Sequence, residues 1–508
     1  MDSNALRPDS SSIPRRLFRS ALFWLALALI GYGIFIFNEC SWYIGGSDSS
    51  GYYNSAQLLA SGRATKTLRV IPGLSPADHR VGPELYIPLG FRAITETEMV
   101  PTYPVGLPLM ILLAAPFTGW IFAPGWAAGI NMFFGAVVSY ALGRECGLSR
   151  WMSLIGAALV GLGPLYVFMG LQPMTDVASL TWETAALLFT LMSRRRVAWT
   201  IAAGFCIGIS VLLRPANLML VIPVAVMLGF DVRRWAALAL GGLPCAAFLA
   251  WYNFRTYGVI LTTGYGNLSS EFSPQWIVPT LGHYAVWLPI LFSPVVLLAL
   301  GLPWVCRDKR LVVTLGSWVL LLLSFYATYR FTHFVWWFLR FILPVAPILV
   351  VSGLLVLTHL AARLAWRQST KATVAVALGL CIGTIYTVCW RKFHVTAVKH
   401  VDRTYLSVAE WFKENAPANS VIATMQNSGS LIAYTDFTML RWDEIMPPRF
   451  ELIRARLAQT HQPLYLAALD WEAKDAFKRM PGQWKKHTLI YSVEIWEYLP
   501  ETVTSGTS

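Results

Sequence analysis

Residues 104–124 read PVGLPLMILLAAPFTGWIFAP. The stretch is apolar and long enough to cross a bilayer, which takes about 20 residues of helix. Prolines at 104, 108, 116 and 124 interrupt it, and each removes a backbone N–H from any helical ladder. Whether it crosses decides the orientation of every later segment. Other apolar runs lie near 21–38, 126–143, 151–168, 176–192, 198–213, 216–230, 236–252, 284–303, 311–327, 341–358 and 372–389.

If the N-terminus is inside and 104–124 does not cross, the inner segments carry Arg15/Arg16/Arg19, Arg144/Arg150, Arg194/Arg195/Arg196, Arg233/Arg234, Arg307/Lys309/Arg310 and Arg363/Arg367/Lys371. This pattern satisfies the positive-inside rule at each turn. Read as an ordinary kinked span, 104–124 would put all the later clusters outside. The charge pattern therefore predicts a re-entrant or surface-lying helix, a shape tolerated where protein buries the backbone. Arg391 and Lys392 run against the pattern, but long translocated domains largely ignore such charges.

The composition agrees. Of 508 residues, 56% are hydrophobic and 13% charged, against about 25% charged in soluble domains. The net charge of +13 would point to nucleic acid in a soluble chain. Here most cations fall between apolar runs, so no nucleic-acid partner is expected. The seven cysteines form no CxxC pair and read as small hydrophobes. Cys40 and Cys389 lie near membrane ends, and a disulfide between them has no support in the sequence. Arg15, Arg16 and Arg19 precede the first run without a clear cleavage site, so that run reads as an uncleaved helix.

The expected organisation is an α-helical polytopic membrane protein of about 11 spanning helices plus re-entrant or juxtamembrane helices. A cytoplasmic tail (1–20) precedes the membrane domain (21–390), whose first outer loop is 39–103. A small α/β domain (395–508) lies on the same outer side. In it an amphipathic helix at 401–415 leads into a strand at 421–424. A helix at 447–460, a strand at 464–468, a helix at 470–479 and strands within 488–498 follow. No Gly-rich phosphate loop or metal-ligand spacing occurs in it, and it reads as structural or acceptor-recruiting.

The first outer loop opens with Gly45-Gly46-Ser47-Asp48-Ser49-Ser50-Gly51-Tyr52-Tyr53. An acid at the membrane surface suits a general base facing a lipid-borne substrate. The blander reading makes Asp48 the N-cap of a helix beginning at Ser49. Asp176, in Gln172-Pro173-Met174-Thr175-Asp176, stands at the outer mouth of two helices, again a functional position or a cap. Glu183 lies two turns deeper on the same face. Outer cations are sharper clues, because the topology disfavours them. They are Arg214 before Pro215, Arg255 after Asn253, then Arg330 and Arg340. Guanidinium matches phosphate with two parallel hydrogen bonds; the alternative is headgroup contact or helix-end capping. His333 has no second His nearby in sequence to make a metal site.

These segments together resemble the GT-C superfamily of polyprenyl-phosphate-sugar-dependent glycosyltransferases, closest to bacterial relatives of protein O-mannosyltransferases and of lipid A aminoarabinose transferases. The resemblance rests on Asp48…Tyr52…Ala56…Leu59…Gly62, the Pro101–Pro108 segment with Tyr103, and the Asp176 turn. It also rests on Leu213-Arg214-Pro215, Tyr252-Asn253…Tyr257-Gly258 with Thr263–Gly266, and Arg340-Phe341…Pro344…Pro347. It implies a catalytic first-loop acid at Asp48. Ser49 follows where many relatives carry a second acid, which implies the metal-independent branch. No cofactor is implied beyond the lipid-linked donor itself.

The expected reaction is sugar transfer, with inversion, from a polyprenyl phosphate to an acceptor hydroxyl on a protein, lipid or glycan. The expected location is the periplasmic face of a bacterial inner membrane. Asp48 is the expected base, and Asp176 orients its partners or a sugar hydroxyl. Arg214, Arg255, Arg340 and Arg330 are candidate phosphate ligands, and Tyr52, Tyr103, His333 and Tyr265 candidate groove residues. A multi-pass transporter or flippase of lipid-linked glycans and a ligase or polymerase using pyrophosphate-linked glycans are the rival readings.

Overall fold

A computed structural model describes residues 21–364 and 367–500. The expected tail 1–20 lies outside them. α1 (Ala21–Glu39) leads into the first loop, which holds α2 (Gly46–Ala60) and a three-stranded antiparallel sheet of β1 (Lys66–Thr67), β2 (Phe91–Ala93) and β3 (Glu98–Pro101), ordered β1-β3-β2. The bundle continues with α3 (Gly106–Thr118), α4 (Ala123–Glu145), α5 (Arg150–Gly161), α6 (Pro164–Gly170), α7 (Thr175–Met192) and α8 (Ala198–Leu213). It is completed by α9 (Val221–Leu228), α10 (Val232–Tyr257), α11 (Ile277–Leu291), α12 (Lys309–Ala327), α13 (Ala346–Arg363) and α14 (Gln368–Lys392).

Among the described residues, five helices are long and apolar enough to cross a membrane alone, and two bent pairs bring the number to seven if each is one span. The pairs bend by 61° between α5 and α6 and by 113° after α11. Several of the expected 11 spans are shorter apolar helices, among them Ala198–Leu213 and Pro215–Leu228. Residues 104–124 contain no full span. α3 has 13 residues and stops at Gly119, whose φ is 77°. At 1.5 Å per residue it is about 20 Å long, short of a hydrocarbon core of about 30 Å.

Two ion pairs join helix ends whose cations the sequence assigns to inner loops. At one end Arg194 Nη1 donates to Asp308 Oδ2 at 2.5 Å, and Arg195 Nη2 donates to Glu145 at 2.9 Å. These pairs tie the α4, α7 and α12 termini together on the side assigned to inner loops. At the centre stands α7, with 15 of its 18 residues buried. Its Thr, Ser, Asp and Glu side chains face protein rather than lipid, which is how a span tolerates them.

After α14 the chain forms α15 (Val398–Asn415), β4 (Val421–Ala423), α16 (Ser428–Tyr434), β5 (Thr438–Leu440), α17 (Pro447–Thr460), β6 (Leu464–Leu469), α18 (Asp470–Arg479), β7 (Gln483–Ile490) and β8 (Val493–Leu499). The sheet order is β5-β4-β6-β8-β7. β4 pairs in parallel with β5 and β6, and β8 runs antiparallel to β6 and β7. α16 and β5 escaped the sequence reading because both are short.

The C-terminal sheet does not stand alone. One core contains Leu68, Ile71, Leu85 and Tyr86 of the first loop together with Phe412, Val421, Phe450 and Leu466. Backbone contacts stitch the same seam: Arg441 N–H donates to the Leu85 carbonyl at 2.8 Å, and Arg69 Nη1 donates to the Thr435 carbonyl at 2.6 Å. The first loop and the C-terminal domain therefore share one core.

All seven cysteines are free, Cys40 and Cys389 included, both buried. Cys40 Sγ lies 3.3 Å from the Gly125 carbonyl, as fits a small packed thiol.

Candidate functional site

α2 is built from small polar residues, GSDSSGYYNSAQLLA, yet nine of its fifteen residues are buried. Its side chains satisfy themselves locally. Ser55 Oγ donates to the Gly51 carbonyl at 2.8 Å and Asn54 Nδ2 to the Ser50 carbonyl at 2.9 Å, the back-bonding open to Ser and Asn in helices. Small size permits close packing. A methyl on Gly51 would fall 2.5 Å from the Tyr103 ring. The helix is thus wedged between the bundle and the C-terminal domain, with Asp48 in its first turn.

Asp48 is not the N-cap, since the helix starts at Gly46 with Gly45 in that position. Its carboxylate turns to the bundle, where Oδ2 accepts from Arg340 Nη2 at 2.9 Å. Ser47 Oγ lies 3.3 Å from Oδ1. Burial pushes the carboxyl up. The Arg340 charge and hydrogen bonds from Tyr103, Arg340 and Ser47 outweigh burial and hold it below the ordinary carboxylate range.

Arg214 owes its place to Pro215. The residue before a proline is driven to extended backbone, and Arg214 at φ −150°, ψ 118° ends α8. A cation there also suits the negative end of the helix. Its Nη2 donates to Asp176 Oδ1, and its Nε lies 3.4 Å from Thr175 Oγ1. Asp176 sits in the first turn of α7, 1% exposed, near the positive helix end. Arg340 stands on a 3₁₀ segment, Trp336–Val345, with its Nε 3.9 Å from Asp176 Oδ1. The Phe341 ring lies 5.7 Å from the Arg214 guanidinium and 5.2 Å from that of Arg340. Buried Arg340 Nε and Arg214 Nη1 have no hydrogen-bond acceptor among the described residues, and Asp176 Oδ2 has no donor.

These four charged groups line a cavity of about 430 Å³. Tyr52, Tyr103 and Tyr265 form one wall, and Phe272, Tyr326 and Tyr329 another. Tyr52 OH meets Thr175 Oγ1 at 3.3 Å, and the Tyr103 ring centroid is 5.0 Å from that of Tyr52 and 6.0 Å from that of Tyr265. The loop carrying Tyr265 is pinned from below. Asn253 Nδ2 donates to the Ile260 and Thr262 carbonyls at 2.9 and 3.0 Å, and Tyr257 OH to the Pro101 carbonyl at 2.9 Å. A methyl on Gly264 would lie 2.3 Å from the Thr102 carbonyl oxygen.

Three sequence candidates do not line the cavity. Arg255 is exposed on the last turn of α10. That turn presents Tyr252, Asn253 and Thr256 to the protein, so the helical period turns residue 255 away. Arg330 pairs with Glu271 at 3.4 Å. His333 stacks on Trp276 with 5.3 Å between centroids, and no group of three metal-ligating side chains occurs among the described residues.

Glu183 is fully buried below Asp176, and neither carboxyl oxygen has a hydrogen-bond partner among the described residues. Tyr326 and Tyr329 were not among the sequence candidates, and Phe341 was quoted beside Arg340 without a role. The only signal for the tyrosines was their spacing of three just before Arg330.

No family model and no curated protein matches this sequence. The likeness is structural. ArnT from Cupriavidus metallidurans bound to undecaprenyl phosphate superposes with a TM-score of 0.59 at 13% identity, covering 95% of this chain and 99% of that one. This chain has the GT-C fold. Apo ArnT from the same organism gives 0.56 at 14% identity, with 94% and 99% covered. The Archaeoglobus fulgidus oligosaccharyltransferase tethered to an acceptor peptide gives 0.52 at 12% identity, covering 92% of this chain and 73% of that one.

Proposed function

We propose that this protein is a membrane glycosyltransferase that moves a sugar from a polyprenyl-phosphate donor to an acceptor hydroxyl, on the periplasmic side of a bacterial inner membrane. One observation carries the reading. Two buried guanidinium groups, each with an N–H lacking an acceptor among the described residues, face Asp48 across one cavity. Unpaired buried donors are costly, and a phosphate oxygen satisfies them with charge-assisted bonds. A solved neighbour of the same fold binds undecaprenyl phosphate.

Asp48, Asp176, Arg214 and Arg340 sum to zero formal charge, so an arriving phosphate competes for the arginines. As Arg340 turns to the phosphate, Asp48 loses the contact that holds its proton affinity down and becomes a stronger base. Asp48 then takes the proton of the acceptor hydroxyl. The acceptor oxygen bonds to the anomeric carbon as the bond from that carbon to the phosphate oxygen breaks, inverting configuration. The electron pair leaves with polyprenyl phosphate, whose growing charge Arg214 and Arg340 stabilise, as preorganised donors do. Asp176 keeps Arg214 aimed. Tyr52, Tyr103 and Tyr265 pack against the sugar and keep water out.

The test is transfer of radiolabelled sugar by purified protein in nanodiscs. Donors carrying one phosphate should support it and pyrophosphate-linked donors should not. Transfer only from pyrophosphate donors would replace this reading with the ligase one. Donor crossing the bilayer without transfer would replace it with a flippase.

A further inference from the structure

The helix carrying Asp48 begins without a side-chain cap. Gly45 occupies the N-cap position and supplies no side chain, and Gly46 follows at φ 51°. The first four N–H groups of a helix have no partner within it. What faces this start is α15 of the C-terminal domain. A methyl on Gly45 would lie 2.2 Å from Asp402 Oδ1 and 3.1 Å from the Tyr405 ring. Gly45 is therefore the only residue type that lets the two segments meet so closely.

Asp402 is 7% exposed, and its Oδ2 has no hydrogen-bond partner among the described residues. It falls on the buried stripe of α15, between Val398 and Val408, where an apolar residue would pack at no desolvation cost. On its own helix Arg403 is exposed, and Lys399 reaches the other way, donating to the Asn38 carbonyl at 2.9 Å. The remaining titratable neighbours are neutral thiol and phenol groups: Cys40 after α1, Tyr405 on α15 and Tyr434 on α16. Glu472 on α18 faces Tyr405.

We propose that Asp402 is a positioning residue for Asp48, a buried carboxyl through which the C-terminal domain seats the start of α2. The inference rests on the reading of Asp48 as the base. Asp402 packs against Gly45, and holding that turn in place holds Asp48 against Arg340. Burial pushes the Asp402 carboxyl up to about 7, with Ser41 pulling the other way. The packed contact thus favours the protonated carboxyl and loosens as pH rises through the range where Asp402 ionises.

The test uses the full chain in nanodiscs. Amide protection factors at residues 46–50, corrected for intrinsic exchange, should fall about fivefold between pH 6 and pH 8 in the wild type and stay flat in Asp402→Asn. kcat should fall by about the same factor over that window, with KM unchanged. Asp402→Asn should sit at the acid plateau without an inflection, and Asp402→Glu should restore part of it. Equal protection in wild type and Asp402→Asn at both pH values, or an unaltered kcat profile, overturns the proposal.

Should Asp402→Asn fail to fold, Gly45→Ala serves instead. Its φ of −108° suits alanine, so its only new contacts are with Asp402 and Tyr405. Its loss of kcat should be relieved by Asp402→Ser, and strictly additive losses count against the coupling. A pH-dependent α2 in a protein that transfers no sugar from any polyprenyl phosphate would sink the base assignment while leaving the coupling intact.

Discussion

Asp48 Oδ2 accepts a hydrogen bond from Arg340 Nη2 at 2.9 Å, joining residues 292 positions apart. One lies in the first turn of α2, and the other on the 3₁₀ segment that leads into α13. The contact makes one centre of two halves of the chain, and most of what can be measured about the site turns on it.

Asp48→Asn keeps the size and an acceptor oxygen but removes the base. Transfer should fall by roughly 10²–10⁴-fold, the usual worth of a positioned base. Thermal unfolding should change little, because the side chain is 23% exposed. Activity within tenfold of wild type would remove Asp48 from the chemistry.

The two arginines should separate in their effects on stability. Asp176 is 1% exposed. Arg214→Ala leaves that carboxylate buried without its main partner, a change that costs about 3–5 kcal/mol. Arg340→Ala should cost less, since Asp48 keeps contact with solvent. Adding Asp176→Asn to Arg214→Gln should recover much of the lost stability without restoring transfer. Equal melting temperatures for the two alanine variants would contradict the assignment.

Removing the Arg340 charge should move the acid limb of kcat/KM. Arg340 pulls the Asp48 carboxyl down against burial. In Arg340→Gln burial therefore acts with less opposition, and the carboxyl rises. The base must be ionised, so activity should disappear at a higher pH than in the wild type. An acid limb that stays put would mean that Asp48 is not the group titrating there.

Arg255→Ala should leave kcat and KM within about twofold, as surface changes usually do. Arg255 is exposed, away from the cavity. A large rise in donor KM would return it to the phosphate site.

Leu85→Ala in the first loop should weaken the C-terminal sheet. Leu85 is fully buried in the shared core, where such truncation costs about 2–5 kcal/mol. Hydrogen exchange should speed up in β4 and β6 as well as in the loop. Acceleration confined to the loop would show two separately folding units.

Much of this was legible in the sequence, for identifiable reasons. The expectation that 104–124 does not cross comes from counting cations, which resist translocation, and the 13 residues of α3 are fewer than a span needs. Asp48, Asp176, Arg214 and Arg340 stood out because charge at the outer mouth of a span is costly unless paired. Arg255 shared that signature and was misplaced, because one step along a helix turns a side chain by about 100°, beyond what a motif resolves. The merger of first loop and C-terminal domain was not legible, since each half has ordinary periodicity and their contacts join distant residues. Asp402 left a trace, an acid on the apolar stripe of an amphipathic helix, but nothing in the sequence pointed to Gly45 as its neighbour.

The seam between Arg69 and Thr435 spans 366 residues of chain. At about 5–20 residues per second of synthesis, the early half of that core waits roughly twenty seconds to over a minute for its other half to be made. Through that interval Ile71, Leu85 and Tyr86 lack the C-terminal half of their core. The shared core is therefore completed only after α14 has been made, and an unfinished apolar face persists until then.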